Sequence, residues 1–293
     1  MNWDDARVFL AVARAGQMLG AARTLGLNHA TVARRLNALE DALKARLFVR
    51  RTSGCDLTAE GELFLAHAER MESEMIGARA DIGQTDLAVT GAVRVGAPDG
   101  FGVAFLAPRL GRLTARHPGL RIQLVPVPRA FSLSRREADI AVTLGRPDEG
   151  RLVARKLTDY TLGLYASPGY LAEMGTPATL NDLRHHRLVG YVEDLLFSTS
   201  LDFSRDFLKD WQSAFEVSSA LGQTEAVRAG AGIGILHTFI ARGDRRLVPV
   251  LAQHTVTRAY WTVVHEDLRA IRRVSTVADF IAGEVRANRS TFV

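Results

Sequence analysis

Four side chains suited to reading a duplex, His29, Thr31, Arg34 and Arg35, fall within seven consecutive residues, and Arg50 and Arg51 follow a short way on. An arginine fork matches the acceptor edge of guanine or bridges phosphate oxygens, and short polar groups reach base edges when the backbone lies close. Asn28, just before them, adds a further polar group at the start of the same segment. The chemistry implied is recognition of double-stranded DNA. Catalytic constellations are not found: there is no Gly-Lys-Ser/Thr phosphate loop, no Gly-x-Ser-x-Gly elbow and no His-Glu-x-x-His. His185 and His186 are adjacent, not four apart as two ligands on one helix face must be. Gly230-x-Gly-x-Gly234 lacks the third glycine of a dinucleotide loop at the required spacing and precedes a strand. No catalytic residue, metal or cofactor is therefore expected.

The recognition set needs elements to hold it. Ala21, Ala22 and Leu25 share one helical face, and Gly26 follows as a left-handed stop. Leu27 can bury between two helices. Asn28 is a good N-cap. Val32, Leu36, Leu39 and Leu43 then recur at spacings of four, three and four, the buried stripe of a second helix. His29, Thr31 and Arg34 lie on its opposite side, with Arg35 at the flank. Two helices around a tight break are the arrangement of a helix-turn-helix. Leu47 to Arg51 reads as a strand, Ser53-Gly54 as a turn and Asp56-Leu57 as the return strand. This forms a wing with Arg50 and Arg51 at its edge, suited to phosphates. Thr58 caps a long helix from about Ala59. Along it Gly61, Phe64, Ala68, Met71, Met75, Ala78 and Ile82 form a narrow heptad-like seam between charged faces. The seam predicts helix pairing, most simply a dimer; packing on the helix's own domain is the alternative.

The run Ala21-Ala22…Leu25…Val32…Arg34-Arg35…Leu39-Glu40…Leu47-Phe48…Arg50…Leu57-Thr58…Gly61 resembles the LysR-type transcriptional regulators. Two departures stand out. Asn28-His29-Ala30-Thr31-Val32-Ala33 replaces the frequent Ser-Gln-Pro-Ala-Val-Ser, and Lys44 stands where a Gly is common. The resemblance implies an α/β protein with an all-α winged helix-turn-helix N-terminal domain and a two-lobed effector-binding domain like periplasmic solute-binding proteins. It divides the chain into 1–58 (DNA-binding), 59–90 (linker helix and hinge) and 91–293 (effector domain), with lobe I at about 91–160 plus 266–293 and lobe II at about 161–265. It further implies promoter DNA, a small-molecule effector and self-association as partners: dimers through the linker helix, joined into a tetramer by effector domains, with RNA polymerase a candidate contact.

Composition agrees. With 47% hydrophobic and 24% charged residues the chain is an ordinary globular protein rather than a disordered tail. Its 293 residues suffice for two or three domains. The net charge of +5 is modest, but seven Arg or Lys lie between Arg23 and Arg51 against Glu40 and Asp41. Such a local patch is what releases counterions from DNA. Cys55 is the single cysteine, so no intramolecular disulfide exists. The acidic N-terminus lacks an apolar core region, and no apolar run approaches membrane-spanning length; a cytoplasmic protein is expected.

Downstream, Leu87 to Gly91 reads as a hinge. Strands are expected at Ala92–Ala97, Arg121–Val127, Ala138–Leu144, Tyr160–Ala166, His186–Val192, Ala214–Ser218, Gly232–Leu236 and Tyr260–His265. Helices are expected at Val103–Arg116 and Val274–Ala287, with others between the later strands. Strand and helix in alternation predict a parallel sheet with crossover helices. Further landmarks of the resemblance are Tyr165-Ala-Ser-Pro-Gly-Tyr-Leu171, Asp182-Leu183 and Ala226 to Ile235. Ligands of such folds sit at strand C-termini and helix N-termini. The candidate effector residues are Asp99, Gly100 and Phe101 on the first loop, Thr143, Thr224, and more remotely Phe197, Ser198 and Thr199. Asp99 disfavours an anionic effector and favours one bearing an amine or hydroxyls, or else it caps the following helix. Two other readings, a solute-binding protein and an α/β enzyme with a helical appendage, explain only the C-terminal segments.

Overall fold

The structure is a computed structural model that describes residues 2–51, 54–82, 89–127, 137–147, 151–196, 198 and 201–292. Ser53 of the expected wing turn and the start of the expected hinge, Leu87 and Ala88, lie outside the described residues. The chain divides into two compact units, Met1–Leu87 and Ala88–Val293.

In the first unit α1 (Trp3–Ala15) starts with a capping box. Asn2 Oδ1 accepts from the Asp5 N–H at 2.9 Å, and Asp5 Oδ2 accepts from the Asn2 N–H at 3.3 Å. Gly16, in the left-handed region at φ 65°, ends it. α2 (Met18–Leu25) ends at Gly26, φ 64°. α3 (His29–Leu43) opens on Asn28, whose Oδ1 accepts from the Thr31 N–H at 2.7 Å. It closes on Lys44, which adopts φ 52°, so the common Gly at this point reflects a left-handed backbone that Lys44 adopts at a cost. The stripe Val32, Leu36 and Leu39 is buried against Phe9, Val12, Ala21, Leu47 and Phe48, while Leu43 is only partly covered.

The wing is β1 (Phe48–Arg51) paired antiparallel with β2 (Gly54–Leu57). Its return strand is anchored by the Cys55 N–H donating to Gly16 O at 2.7 Å. α4 (Ala59–Ile82) begins as expected: Thr58 Oγ1 accepts from the Gly61 N–H at 2.9 Å and donates to Arg46 O at 2.6 Å. Gly61 is required there, because a Cβ would stand 2.1 Å from Leu47 O. The seam on α4 is not all available for pairing. Phe64, Ala68 and Met71 pack into the core of their own unit, where the Phe64 ring lies 4.9 Å from that of Phe9. Phe9 is thus covered by Phe64 of α4 and by Phe48 of the wing, whose ring lies 5.2 Å away. Arg14 grips Glu72 with two bonds, Nη1–Oε1 at 3.2 Å and Nη2–Oε2 at 2.6 Å, fixing α4 to α1. Leu63 and Met75 remain exposed.

The second unit runs β3 (Gly91–Ala97), α5 (Asp99–Phe101), a π turn (Gly102–Leu106), α6 (Ala107–Arg116), β4 (Leu120–Pro126), β5 (Ile140–Thr143), β6 (Leu152–Ala166), α7 (Pro168–Met174), β7 (Leu188–Gly190), α8 (Ser204–Phe207), β8 (Phe215–Glu216), α9 (Ala220–Arg228), β9 (Ile233–His237), α10 (Thr238–Ala241), β10 (Val248–His265), α11 (Arg272–Ala287) and α12 (Arg289–Phe292). One eight-stranded sheet has the order β4-β3-β5-β10-β6-β9-β7-β8. Three expectations are corrected. The strands expected at Tyr160–Ala166 and Tyr260–His265 are the ends of much longer ones, β6 and β10. These pair antiparallel from Leu152↔His265 to Ala166↔Val248, so the sheet is mixed rather than parallel. They cross the whole unit: β10 pairs β5 at Trp261–Val264, and β6 pairs β9 at Leu162–Tyr165. Crossing strands have one partly solvated face, so no continuous apolar run marks their polar stretches. Finally, the helix expected from Val103 begins at Asp99, making Asp99–Phe101 its first turn rather than a loop. α11 is as expected, with Val274, Val277, Ile281 and Val285 buried.

Candidate nucleic-acid interface and ligand cleft

The outer side of α3 presents Asn28, His29 and Arg34 to solvent, with Thr31 and Arg35 half-buried. Among the described residues Arg34 has no ion-pair or hydrogen-bond partner. Arg35 differs: its Nη1 lies 2.9 Å from Asp4 Oδ2, which turns it toward α1. Arg51 faces Asp56 across the wing at 3.4 Å, both exposed. Arg50 leans onto α3, its Nη2 donating to Asn37 Oδ1 at 2.6 Å and to Glu40 Oε2 at 3.0 Å.

Glu40 organises this junction. Its carboxylate is almost wholly buried. Oε1 accepts from the Leu47 N–H at 2.8 Å and the Phe48 N–H at 3.3 Å, and Oε2 from Arg46 Nη1 at 3.0 Å as well as from Arg50. One side chain of α3 thus satisfies the entry of β1 and holds two arginines. Burial opposes ionisation of Glu40, but the Leu47 N–H, Arg46, the Phe48 N–H and Arg50 outweigh it and hold the carboxyl below the usual range. In the sequence Glu40 stands only as part of a pattern. The usable signal is an acid among basic residues beside the last buried leucine.

In the second unit the candidate ligand residues divide. Asp99 and Gly100 meet α9: Asp99 Oδ2 accepts from Ser219 Oγ at 2.6 Å and from the Leu221 N–H at 3.2 Å. Thr224 lies on α9, buried, with Oγ1 donating to Ala220 O at 2.8 Å. Thr143 closes the turn after β5 by donating to Gly145 O at 2.6 Å. Phe101 is wholly buried in an aromatic cluster, its ring 4.6 Å from Tyr260 and 5.2 Å from Phe105. Ser198 is half-buried, and Phe197 and Thr199 lie outside the described residues. Tyr160 stacks on Tyr260 at 4.1 Å and on His237 at 5.2 Å. Burial pushes His237 down to about 4 against the pull of Asp99, and burial raises Tyr160 and Tyr260 well above the usual phenol range. Of this aromatic set only Phe101 is marked in the sequence; Tyr160 and Tyr260 come from β6 and β10, whose length the apolar pattern hides. A cavity of about 200 Å³ nearby is lined by Tyr191, Phe203, Trp211, Ser213, Gln223 and Ile235, among others.

Comparison with known proteins decides the family. Residues 3–62 match the model of the bacterial regulatory helix-turn-helix proteins of the lysR family, and residues 88–286 match the LysR substrate binding domain. The chain is a LysR-type transcriptional regulator. It is 30% identical over 294 residues to the HTH-type transcriptional regulator CrgA of Neisseria meningitidis serogroup C (strain 8013), covering 98% of each. An HTH-type transcriptional regulator of Xanthomonas campestris pv. campestris (strain 8004) is 33% identical over 275 residues, 92% of this chain and 78% of that one. The solved structure of CrgA matches at a TM-score of 0.60 and 28% identity, over 97% of this chain and 99% of that chain. A full-length OxyR variant from Pseudomonas aeruginosa matches at 0.73 with 17% identity, over 98% and 95%, and shows the fold alone.

As a LysR-type regulator the protein joins an N-terminal winged helix-turn-helix to a two-lobed regulatory domain, and is a ligand-responsive DNA-binding protein. Members of the family bind DNA and small effectors and form oligomers. Among the described residues no helix is long and apolar enough to cross a membrane.

Proposed function

We propose that this regulator reads promoter DNA with α3 while the wing rides the backbone. Arg34 contacts a base edge, assisted by Asn28, His29 and Thr31 from the first turn, and Arg51 meets phosphate. Arg35 and Arg50, engaged by Asp4 and Glu40, aim the reading face and add positive field. The observation that carries this reading is an exposed Arg34, without a partner among the described residues, on a helix whose buried side is locked to the wing. Residues 1–58 form the DNA-binding domain, 59–90 the linker and 91–293 the effector domain. Lobe limits at about 160/161 and 265/266 are supported by the second neighbours of the crossing strands, β9 beside β6 at Leu162–Tyr165 and β5 beside β10 at Trp261–Val264.

Pairing uses what α4 leaves uncovered, Leu63 and Met75 included, and effector domains join dimers into tetramers that engage RNA polymerase in the cytoplasm. The effector enters the cavity beside Tyr191 and Gln223, and the lobes answer through Asp99 and Thr224, with Thr143 and Ser198 at the rim. Binding shifts lobe closure and with it the spacing of the DNA-binding domains. The test is a gel-shift titration with the DNA upstream of the gene itself. Retardation that survives excess random duplex supports the reading, and retardation lost to an equal mass of random duplex refutes it.

A further inference from the structure

The N-terminus of α9 already holds a carboxylate, and it belongs to the chain. Asp99, buried at 7% exposure, receives the Ser219 hydroxyl and the Leu221 N–H on one oxygen. Ser219 Oγ in turn accepts from the Gly222 N–H at 3.1 Å. Three donors at a helix start thus converge, directly or through one hydroxyl, on a carboxylate 120 residues earlier in sequence. A helix of nine residues favours an anion at this end. Gly100 permits the approach: a Cβ there would meet Ala220 Cβ at 3.2 Å and Ile240 Cδ1 at 3.3 Å. A second observation points the same way. Tyr160 and Tyr260 in the adjoining aromatic cluster are wholly buried, and their hydroxyls have no partner among the described residues. The α9 N-terminus is thus an anion cradle whose carboxylate is supplied internally, beside an aromatic cluster that is joined to it through Phe101 and holds two unpartnered hydroxyls.

We propose that Asp99 is a built-in ligand of the α9 N-terminus, so that it excludes carboxylate effectors from that position and leaves the cleft to cationic or uncharged ones. Withdrawing the side chain then opens the position to an external monocarboxylate. The proposal rests on the effector-domain reading for its regulatory meaning, while occupancy of α9 is measured independently of DNA.

The experiment compares full-length wild type, Asp99→Ala, Asp99→Asn and Asp99→Ala/Ser219→Ala. Thermal unfolding is followed through tryptophan emission at neutral pH, in sodium formate, sodium acetate or sodium chloride at matched ionic strength. Asp99→Ala is expected to melt roughly 3 °C or more below wild type. Formate or acetate, but not chloride, should restore at least half of that deficit saturably. Wild type should show no carboxylate-specific shift, and the double variant should lose the recovery. Asp99→Asn keeps the volume without the charge, and should melt lower than wild type with no carboxylate response. The proposal is overturned by an Asp99→Ala protein that ignores both carboxylates, by an equal response in wild type, or by recovery that survives loss of Ser219. Should Asp99→Ala not fold, Asp99→Asn decides: a melting point equal to wild type overturns the proposal. A failed gel shift would count against the regulator reading and would leave these outcomes unchanged.

Discussion

Removing the Glu40 carboxylate should uncouple the recognition helix from the wing. Four donors end on it: two backbone N–H groups at the start of β1 and the guanidinium groups of Arg46 and Arg50. Glu40→Ala strands the buried Leu47 and Phe48 N–H groups at about 1–3 kcal/mol each. It also breaks a buried ion pair, a change that usually costs about 3–5 kcal/mol in all. We expect a loss of about 4 kcal/mol for Ala. Gln can still accept from both N–H groups but turns an amide toward two cations, for a loss of about 2 kcal/mol. Against a domain stability of about 5–15 kcal/mol, the Ala variant brings the first unit close to unfolding. Urea denaturation in a Trp211→Phe/Trp261→Phe background leaves Trp3 as the sole indole and reports on this unit alone. The pH dependence carries the signature. Because the folded carboxyl titrates below its ordinary value, its stabilisation is complete above the unfolded pKa and is lost as pH falls through the folded one. The gap between wild type and Glu40→Gln should therefore shrink in acid. A Gln variant within about 0.5 kcal/mol of wild type at neutral pH, or a gap that does not change with pH, refutes the reasoning.

Lys44→Gly should stabilise the first unit by about 1 kcal/mol, since Gly adopts φ 52° without the Cβ penalty; the same urea assay decides the sign. His237, held neutral at about 4 by burial, takes up fewer protons folded than unfolded between about pH 6.5 and 4. The second unit should lose roughly 3 kcal/mol as pH falls across that window, and His237→Phe should flatten the dependence; an unchanged slope in thermal melts contradicts the assignment. Leu63→Glu/Met75→Glu should reduce the mass seen by light scattering from that of a tetramer to that of a dimer held by the effector domains, and an unchanged mass would show that α4 pairing uses another face.

The two ends of the chain differ in how much their residues announce. The helix-turn-helix was readable because each boundary has a local chemical cause, at Gly26, Asn28 and Thr58, and because the stripe from Val32 to Leu39 repeats at helical spacing. Glu40 and Gly61 carry meaning only through what the fold brings to them, the β1 N–H groups and Leu47 O. A one-dimensional pattern does not show that. In the second unit β3, β4 and β5 were found where apolar runs are compact, whereas β6 and β10 were underestimated because Arg155, Lys156, Gln253 and His254 interrupt the apolar pattern. The ligand cleft was least legible. By sequence Asp99 reads as a ligand contact or a cap on its own helix, but it caps α9, a helix from the far half of the unit. That pairing depends on tertiary closure across 122 positions, which spacing cannot express.

The proposed role of Arg34 is to read sequence from α3. Its most direct test is the ratio of affinities for the promoter fragment and for random duplex, measured by fluorescence anisotropy over a salt series in wild type, Arg34→Ala and Arg51→Ala. Arg34→Ala should lower the ratio by about tenfold or more, at a cost of about 1–3 kcal/mol on the specific site. Arg51→Ala should weaken both duplexes alike and reduce the salt slope by about one. Equal losses on both duplexes for Arg34→Ala would contradict the account.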